Sequence, residues 1–230
     1  MASPRIAATV ASLFLLVLAC ACSAYGARPA SYHGTSGCRS AHNSSFHGSH
    51  CRRGGKPHHG RPAHLLFFTA KNGHCPYATL APTRYDVAKT RAATLCLVNR
   101  ERAAHGERPL HWNIHLVVAA QAHTESMAFG DYFAHIGPYG QTALMRIRRT
   151  GYISSSRLGF EVGENIGWGS LWLGTPRAIV AAWMASAGHR ANILDGRFRD
   201  TGIGVSPHVT GLAHGQRGGI YTQDFGVLVG

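Results

Sequence analysis

Apolar residues first recur with helical spacing between positions 85 and 105. Val87, Leu95, Val98 and Ala103 fall near a 3.6-residue period, and Gly106 follows as a stop. A second helical run covers 114–129. Leu116, Ala119, Ala120, His123 and Met127 share one side there, and Asn113 precedes it as a cap. Residues 142–150 read as a short basic helix closed by Gly151, with Arg146, Arg148 and Arg149 on its wet face. A fourth helix opens at Thr175-Pro176, a good cap followed by a proline whose missing N–H would be unpaired there anyway. Ile179, Val180, Ala182, Trp183 and Met184 give it a broad apolar face. Gly188 ends it, which leaves His189 just past its C-terminus. The period then changes to two. Ile203/Val205 and Ile220/Thr222/Asp224 predict half-buried strands over 202–205 and 219–226, joined by a loop at 207–217. Between the third and fourth helices, Gly163, Gly167 and Gly169 suggest a turn that holds Glu164 and Asn165 on constrained backbone. Helices first and strands late, without βαβ alternation or an internal repeat, give an α+β class.

Ahead of residue 85 the pattern changes. Arg5, the apolar run 6–19 and the small residues around Ala24-Tyr25-Gly26 read as a signal peptide over 1–26, with a mature start near Ala27. The alternatives are an uncleaved anchor or a lipoprotein anchored at Cys20 or Cys22. Export places the protein outside the cytoplasm, secreted or periplasmic, where disulfides persist. Residues 27–84 form a tail and linker, and residues 85–230 a domain. The stretch 27–62 is rich in Gly, Ser, Arg and His and cannot bury enough apolar surface to fold, so a disordered N-terminal tail is expected. The short run 65–68 reads as an extra strand or a plug, and 71–83 as loop.

Charge sharpens this division. The net charge is +13, but no Asp or Glu precedes Asp86. Residues 27–84 carry eight Lys/Arg, whereas 85–230 carry fourteen against ten acids. The basicity belongs to the tail, and its natural partners are anionic cell-surface or wall polymers and membrane surfaces, with nucleic acid the least expected after export. His33, His42, His47, His50, His58, His59 and His64, with Cys38 and Cys51, make the tail either a metal-scavenging tract or a soluble cationic linker. Removing the signal leaves Cys38, Cys51, Cys75 and Cys96 as disulfide candidates. Four cysteines allow three pairings. Cys38–Cys51 with Cys75–Cys96 is favoured, the alternative being a buried thiol at Cys96 between Leu95 and Leu97.

Simple catalytic templates are missing. There is no H-E-x-x-H helix, no CxxC pair, no G-x-S-x-G elbow and no phosphate loop. His111 and His115, four apart and so able to share a helical face, read as an exposed pair, and His123 as a hydrogen-bonded core histidine. Trp112, Trp168 and Trp183 read as core. Leu171-Trp172-Leu173 is different, an apolar trio in a loop that could be a lid or a membrane-touching tip.

GENIGWG, AWMASAGHRANIL, LVNRERAAHGERPLHWN, DYFAHIGPYG and the closing YTQDFG, blocks that stand in the family's order along the chain from about residue 85, resemble the CAP superfamily. That superfamily comprises cysteine-rich secretory proteins, venom antigens and pathogenesis-related proteins built on an SCP domain, and the likeness is to its bacterial-type secreted branch. The resemblance implies a three-layer α-β-α sandwich with a small antiparallel sheet. It also groups His135, Glu164 and His189 in one cleft, with Ser186 where many eukaryotic members carry a second acid. Asn165, Arg190, Asn192, Gln223 and Asp224 are expected to support the cleft, Arg190 and Asp224 as a pair.

With one carboxylate instead of two, paired acid/base chemistry is disfavoured. The set His135, Glu164, His189 could hold Zn²⁺ or another divalent metal, or could be a hydrogen-bonded brace. The function expected is an extracellular binding or interaction module whose cleft takes a divalent metal, a lipid or another small apolar ligand. A metal-dependent hydrolase using the same cleft, and a metal scavenger acting through the tail, are the rivals. Catalysis is the less expected outcome.

Overall fold

The computed structural model describes residues 74–155, 159–209 and 211–229. The signal peptide, the His-rich tail, the 65–68 run and the Cys38–Cys51 pair lie outside the described residues.

The elements run α1 (Val87–Ala104), β1 (His111–Trp112), α2 (Ile114–Gly130), α3 (Ala143–Arg149), β2 (Gly159–Ser170), α4 (Pro176–Ala185), α5 (Ala187–Leu194), β3 (Asp200–Ser206) and β4 (Gly218–Val229). The caps act as their chemistry requires. Asn113 accepts a hydrogen bond from the His115 N–H, Thr142 from Met145 and Thr175 from Ala178.

One four-stranded sheet, ordered β1-β3-β4-β2, forms the middle layer. β2, β4 and β3 are antiparallel, and the two-residue β1 adds a parallel pairing at the edge of β3. The sheet is therefore mixed at one margin and antiparallel elsewhere. Alternation along the strands supplies two cores. Ile203, Val205, Tyr221 and Phe225 pack with Leu97, Val98, Ile179, Val180 and Trp183 under α1 and α4. The opposite face meets α2 and α3. Ile166 and Ile220 pack there with Met127, while Leu116 and Ala119 pack with Ile147. The result is the α+β, three-layer α-β-α arrangement.

Three elements depart from the sequence-based expectation. The Gly-rich stretch around Glu164 is a twelve-residue strand, not a turn. Gly167 is there for close approach: a Cβ on it would lie 2.9 Å from Trp183 Nε1. Trp183 uses that space to donate from Nε1 to the Ile166 carbonyl at 2.9 Å. The fourth helix also stops sooner, at Ser186, whose backbone is extended. A separate helix α5 then begins, so Gly188 and His189 sit inside it and not beyond a C-terminus. Last, His111 lies on β1 and His115 on α2, so the two do not share a helical face, though both are exposed.

Cys75 and Cys96 form a disulfide, which removes the alternative of a buried thiol. Cys75 and Ala78 are buried in the core beneath α1 and α4, so packing extends N-terminal of residue 85. Arg102, fully buried on α1, donates to the carbonyls of Arg108, Ile193 and Asp195. That clamp fixes the C-terminal end of α5 against α1. Among the described residues no helix is long and apolar enough to cross a membrane.

Candidate functional site

β2 is an edge strand of the sheet, and the site forms along it. Glu164 faces the α2/α3 layer, and its neighbour Asn165 points to the α4/α5 layer. Asn165 donates to the His189 carbonyl at 3.1 Å. Asn192 donates to the Glu164 carbonyl at 3.2 Å and to Asn165 Oδ1 at 2.9 Å. These bonds tie α5 to β2 and set where His189 stands. Ser186 is buried at the junction where α4 hands over to α5.

The Glu164 carboxylate is buried and engaged at both oxygens. Oε1 accepts from His135 Nδ1 at 2.8 Å. Oε2 accepts from the Arg146 guanidinium at 2.6 Å. Arg146, 5 % exposed, also donates to the carbonyls of Gln141 and His135. One side chain on α3 thus holds both the acid and the loop that presents His135. The expectation of a wet face for Arg146 is corrected: the guanidinium is the counter-ion that an otherwise buried carboxylate requires. The signal is present in charge terms, because an acid in an apolar run needs a cation, but a seven-residue helix bearing three arginines does not say which one turns inward.

His123 occupies the third side of Glu164. It is buried, and its Nε2 bonds the Ala134 carbonyl at 3.0 Å while lying 3.9 Å from Glu164 Oε2. Burial pushes its pKa down to about 4, against the attraction of Glu164. At neutral pH it is an uncharged, hydrogen-bonded core histidine and not half of an ion pair.

A second carboxyl stands beside Glu164 after all. Asp224 on β4 is its register partner across the β2–β4 pair. Asp224 is fully buried, and neither carboxyl oxygen accepts a hydrogen bond from an N–H or hydroxyl among the described residues. Burial, and then the Glu164 charge, push its pKa well above the ordinary carboxylate range. Glu164 moves the other way. Burial opposes its ionisation, but the His135 hydrogen bond, Arg146 and the imidazoles outweigh that and hold it below the usual range. The pair therefore carries one negative charge. The expected pairing of Asp224 with Arg190 is corrected: Arg190 donates instead to the Met184 carbonyl at the end of α4. Gln223 points to the opposite face of β4 and donates to Thr201 Oγ1, which braces β3 against β4.

His135 and His189 are the partly exposed members of the group. Because Glu164 accepts from His135 Nδ1–H, the tautomer fixed by that bond is the one with its free lone pair on Nε2. Burial, and then the nearby His135, lower the pKa of His189, which favours its neutral ring. Among the described residues no three His, Cys, Asp or Glu side chains converge as a ready metal-ligand set. The chemistry present is two partly exposed imidazoles over a buried, compensated carboxylate.

The sequence pattern of the cysteine-rich secretory protein family (CAP) matches residues 95–225. The protein YkwD of Bacillus subtilis (strain 168) is 34% identical over 149 residues, 64% of this chain and 50% of that protein. An extracellular protein containing an SCP domain from Bacillus anthracis str. Ames shares 26% identity over 63% of this chain and 43% of its own, with a TM-score of 0.49. A cysteine-rich secretory protein (SAV1118) from Staphylococcus aureus subsp. aureus Mu50 shares 15% identity over 62% of this chain and 40% of its own, with a TM-score of 0.42. The chain spans half the length of YkwD and less of the two solved proteins.

Proposed function

The chain belongs to the cysteine-rich secretory protein (CAP) family, and on that premise we propose that it acts outside the cytoplasm as a binding module whose cleft takes a divalent cation between His135 and His189. The observation that carries this reading is the His135 Nδ1–H···Glu164 Oε1 bond at 2.8 Å, with Arg146 holding the other carboxylate oxygen. A carboxylate behind a histidine fixes its tautomer and raises the basicity of the far nitrogen, the usual support for a metal-binding imidazole. Burial favours the neutral, ligating form of His189 as well.

Glu164 is thus a brace for His135. Two imidazoles leave further positions on the cation to water or to an incoming ligand, so binding is weak and exchangeable. When bound, a cation there would supply a Lewis-acidic point for an oxygen donor. The protein's own part is to orient the two rings and to hold one charge beneath them. Binding is favoured over hydrolysis because Asp224, the second carboxyl, is neutral and sealed from solvent and so cannot serve as a base in the cleft.

A calorimetric zinc titration of the chain from Ala27 onward tests the proposal. The tail histidines add their own sites, so the reading lies in the difference from a His135→Ala/His189→Ala variant. One saturable site should vanish in that variant, and Glu164→Gln should weaken the same site about 10- to 100-fold. Identical titrations of all three proteins would leave the cluster a structural brace.

A further inference from the structure

The turn that succeeds β2 exposes Leu171 (53 %), Trp172 (70 %) and Leu173 (46 %) in succession. We propose that this Leu171–Gly174 turn is a membrane-docking tip, with Trp172 entering the interface of an anionic bilayer; the proposal stands whether or not the cleft takes a metal.

The tip is built to stay out. Leu171 has φ +51°, a conformation that bulky residues rarely adopt. Its N–H donates to the Arg217 carbonyl at 2.6 Å. The Trp172 carbonyl accepts from both the N–H and the hydroxyl of Thr175. Beneath it, β2 and β4 approach so closely that a Cβ on Gly218 would lie 2.1 Å from the Gly169 carbonyl oxygen. Tyr221 then donates its hydroxyl to the Gly174 carbonyl from the core side. A floppy loop would fold its apolar side chains back onto the protein. This one is pinned at its base and presents them to solvent.

The surroundings select a negatively charged partner. No Asp or Glu occurs from 165 to 194 or from 201 to 223. Arg177, in the first turn of α4, and Arg217, bonded through its carbonyl to Leu171, are both exposed. The start of the described chain arrives at the same place. The Ala78 carbonyl accepts from the Arg177 N–H at 2.8 Å, and Pro82 packs against Gly219 on β4. The chain that leads into this point carries eight Lys/Arg between 27 and 84 and no acid. An amphipathic indole flanked by bases, next to the root of a polybasic segment, matches the headgroup region of an anionic membrane. Indole rings prefer that depth, and one apolar anchor plus a basic patch is the combination that holds peripheral proteins there.

Vesicle flotation tests this with the chain from Ala27 onward. Mixed phosphatidylglycerol/phosphatidylcholine vesicles should carry the protein up and pure phosphatidylcholine should not. Trp172→Ala should weaken the binding about tenfold, the worth of one partly buried large apolar side chain. Because Trp172 is largely exposed, that variant should melt at the wild-type temperature. In a second measurement, tryptophan fluorescence should shift to the blue and be quenched by brominated phosphatidylglycerol, and Trp172→Phe should remove both effects. Three results would overturn the proposal. In the first, Trp172→Ala floats as well as the wild type, leaving charge alone as the cause. In the second, the wild type dimerises without lipid and Trp172→Ala does not, making the tip a self-interface. In the third, a soluble anionic polymer distinguishes the two proteins as strongly as vesicles do.

Discussion

At the scale of single residues the site rests on one buried ion pair. Arg146 and Glu164 are 5 % and 9 % exposed, and the two side chains pair at 2.6 Å. Removing one partner of such a pair leaves an uncompensated buried charge, whereas trimming both is far milder. Arg146→Ala should therefore lower the unfolding free energy by about 3 kcal/mol, and Arg146→Ala/Glu164→Gln should recover part of it. Chemical denaturation of the three proteins checks this, and additive losses would sink it. His123 gives a pH prediction. Its folded pKa lies below its unfolded value, so the unfolded chain takes up a proton first as pH falls. Its contribution is complete above about pH 6.5 and is lost towards pH 4, by roughly 3 kcal/mol in all. Asp224, whose pKa is raised, works in the opposite sense, so the comparison must be between wild type and His123→Gln. Stability measured from pH 7 to 4 should fall less steeply in the variant. These residues also show what the sequence conceals. His123 is legible because it interrupts an apolar helix face. The inward turn of Arg146 and the pairing of Asp224 with Glu164 are not, because Glu164 is 18 and 60 residues away from them and only the folded chain brings the three together.

At the scale of elements, legibility tracks the period. The helices over Val87–Ala104, Ile114–Gly130 and Ala143–Arg149 declare themselves through apolar spacing and caps, which are local signals. β3 and β4 declare themselves through alternation. β2 does not, because glycines take the places on one of its faces where alternating apolar residues would stand. Gly167 yields that space to Trp183, a long-range requirement that looks locally like a turn signal. The break at Ser186 is hidden for a related reason: Gly188 is the natural local stop, yet α5 tolerates it because Asn165 and Asn192 hold that helix to β2. Gly167→Ala should accordingly cost about 1–3 kcal/mol through overpacking against Trp183, visible as a lower melting temperature. The Cys75–Cys96 bridge works on another element. It ties the segment before α1 to α1 across a separation of 21 residues, and its removal by Cys75→Ser/Cys96→Ser should cost about 3 kcal/mol on the chain-entropy account. Unfolding of the variant beside the oxidised wild type would show it, and equal midpoints would mean that the packing around Ala78 holds this segment without the bridge.

At the scale of the whole molecule the chain divides its labour by charge. Fourteen bases against ten acids leave residues 85–230 nearly balanced, while the preceding segment is basic throughout. A folded domain gains little from a basic appendage in stability, since screened exposed charges separated by more than a Debye length hardly interact. On the reading proposed above, the basic segment would bear instead on where the domain is held and on which ions gather near it. This separation gives the last prediction. Deleting residues 27–64 removes His33, His42, His47, His50, His58, His59 and His64 together with Cys38 and Cys51, and leaves Cys75, Cys96 and every residue of the cleft in place. The truncated chain should keep the wild-type melting temperature within about one degree, because every residue of the described core is kept. It should keep the single zinc site that depends on His135 and His189, while the remaining metal stoichiometry of the longer chain disappears. If the cleft site vanishes with the tail, the tail histidines complete it and the division fails. If no metal binding is lost, the tail is a cationic tether without a scavenging role. Zinc titrations of the two chains side by side, in a buffer of fixed ionic strength, separate these outcomes.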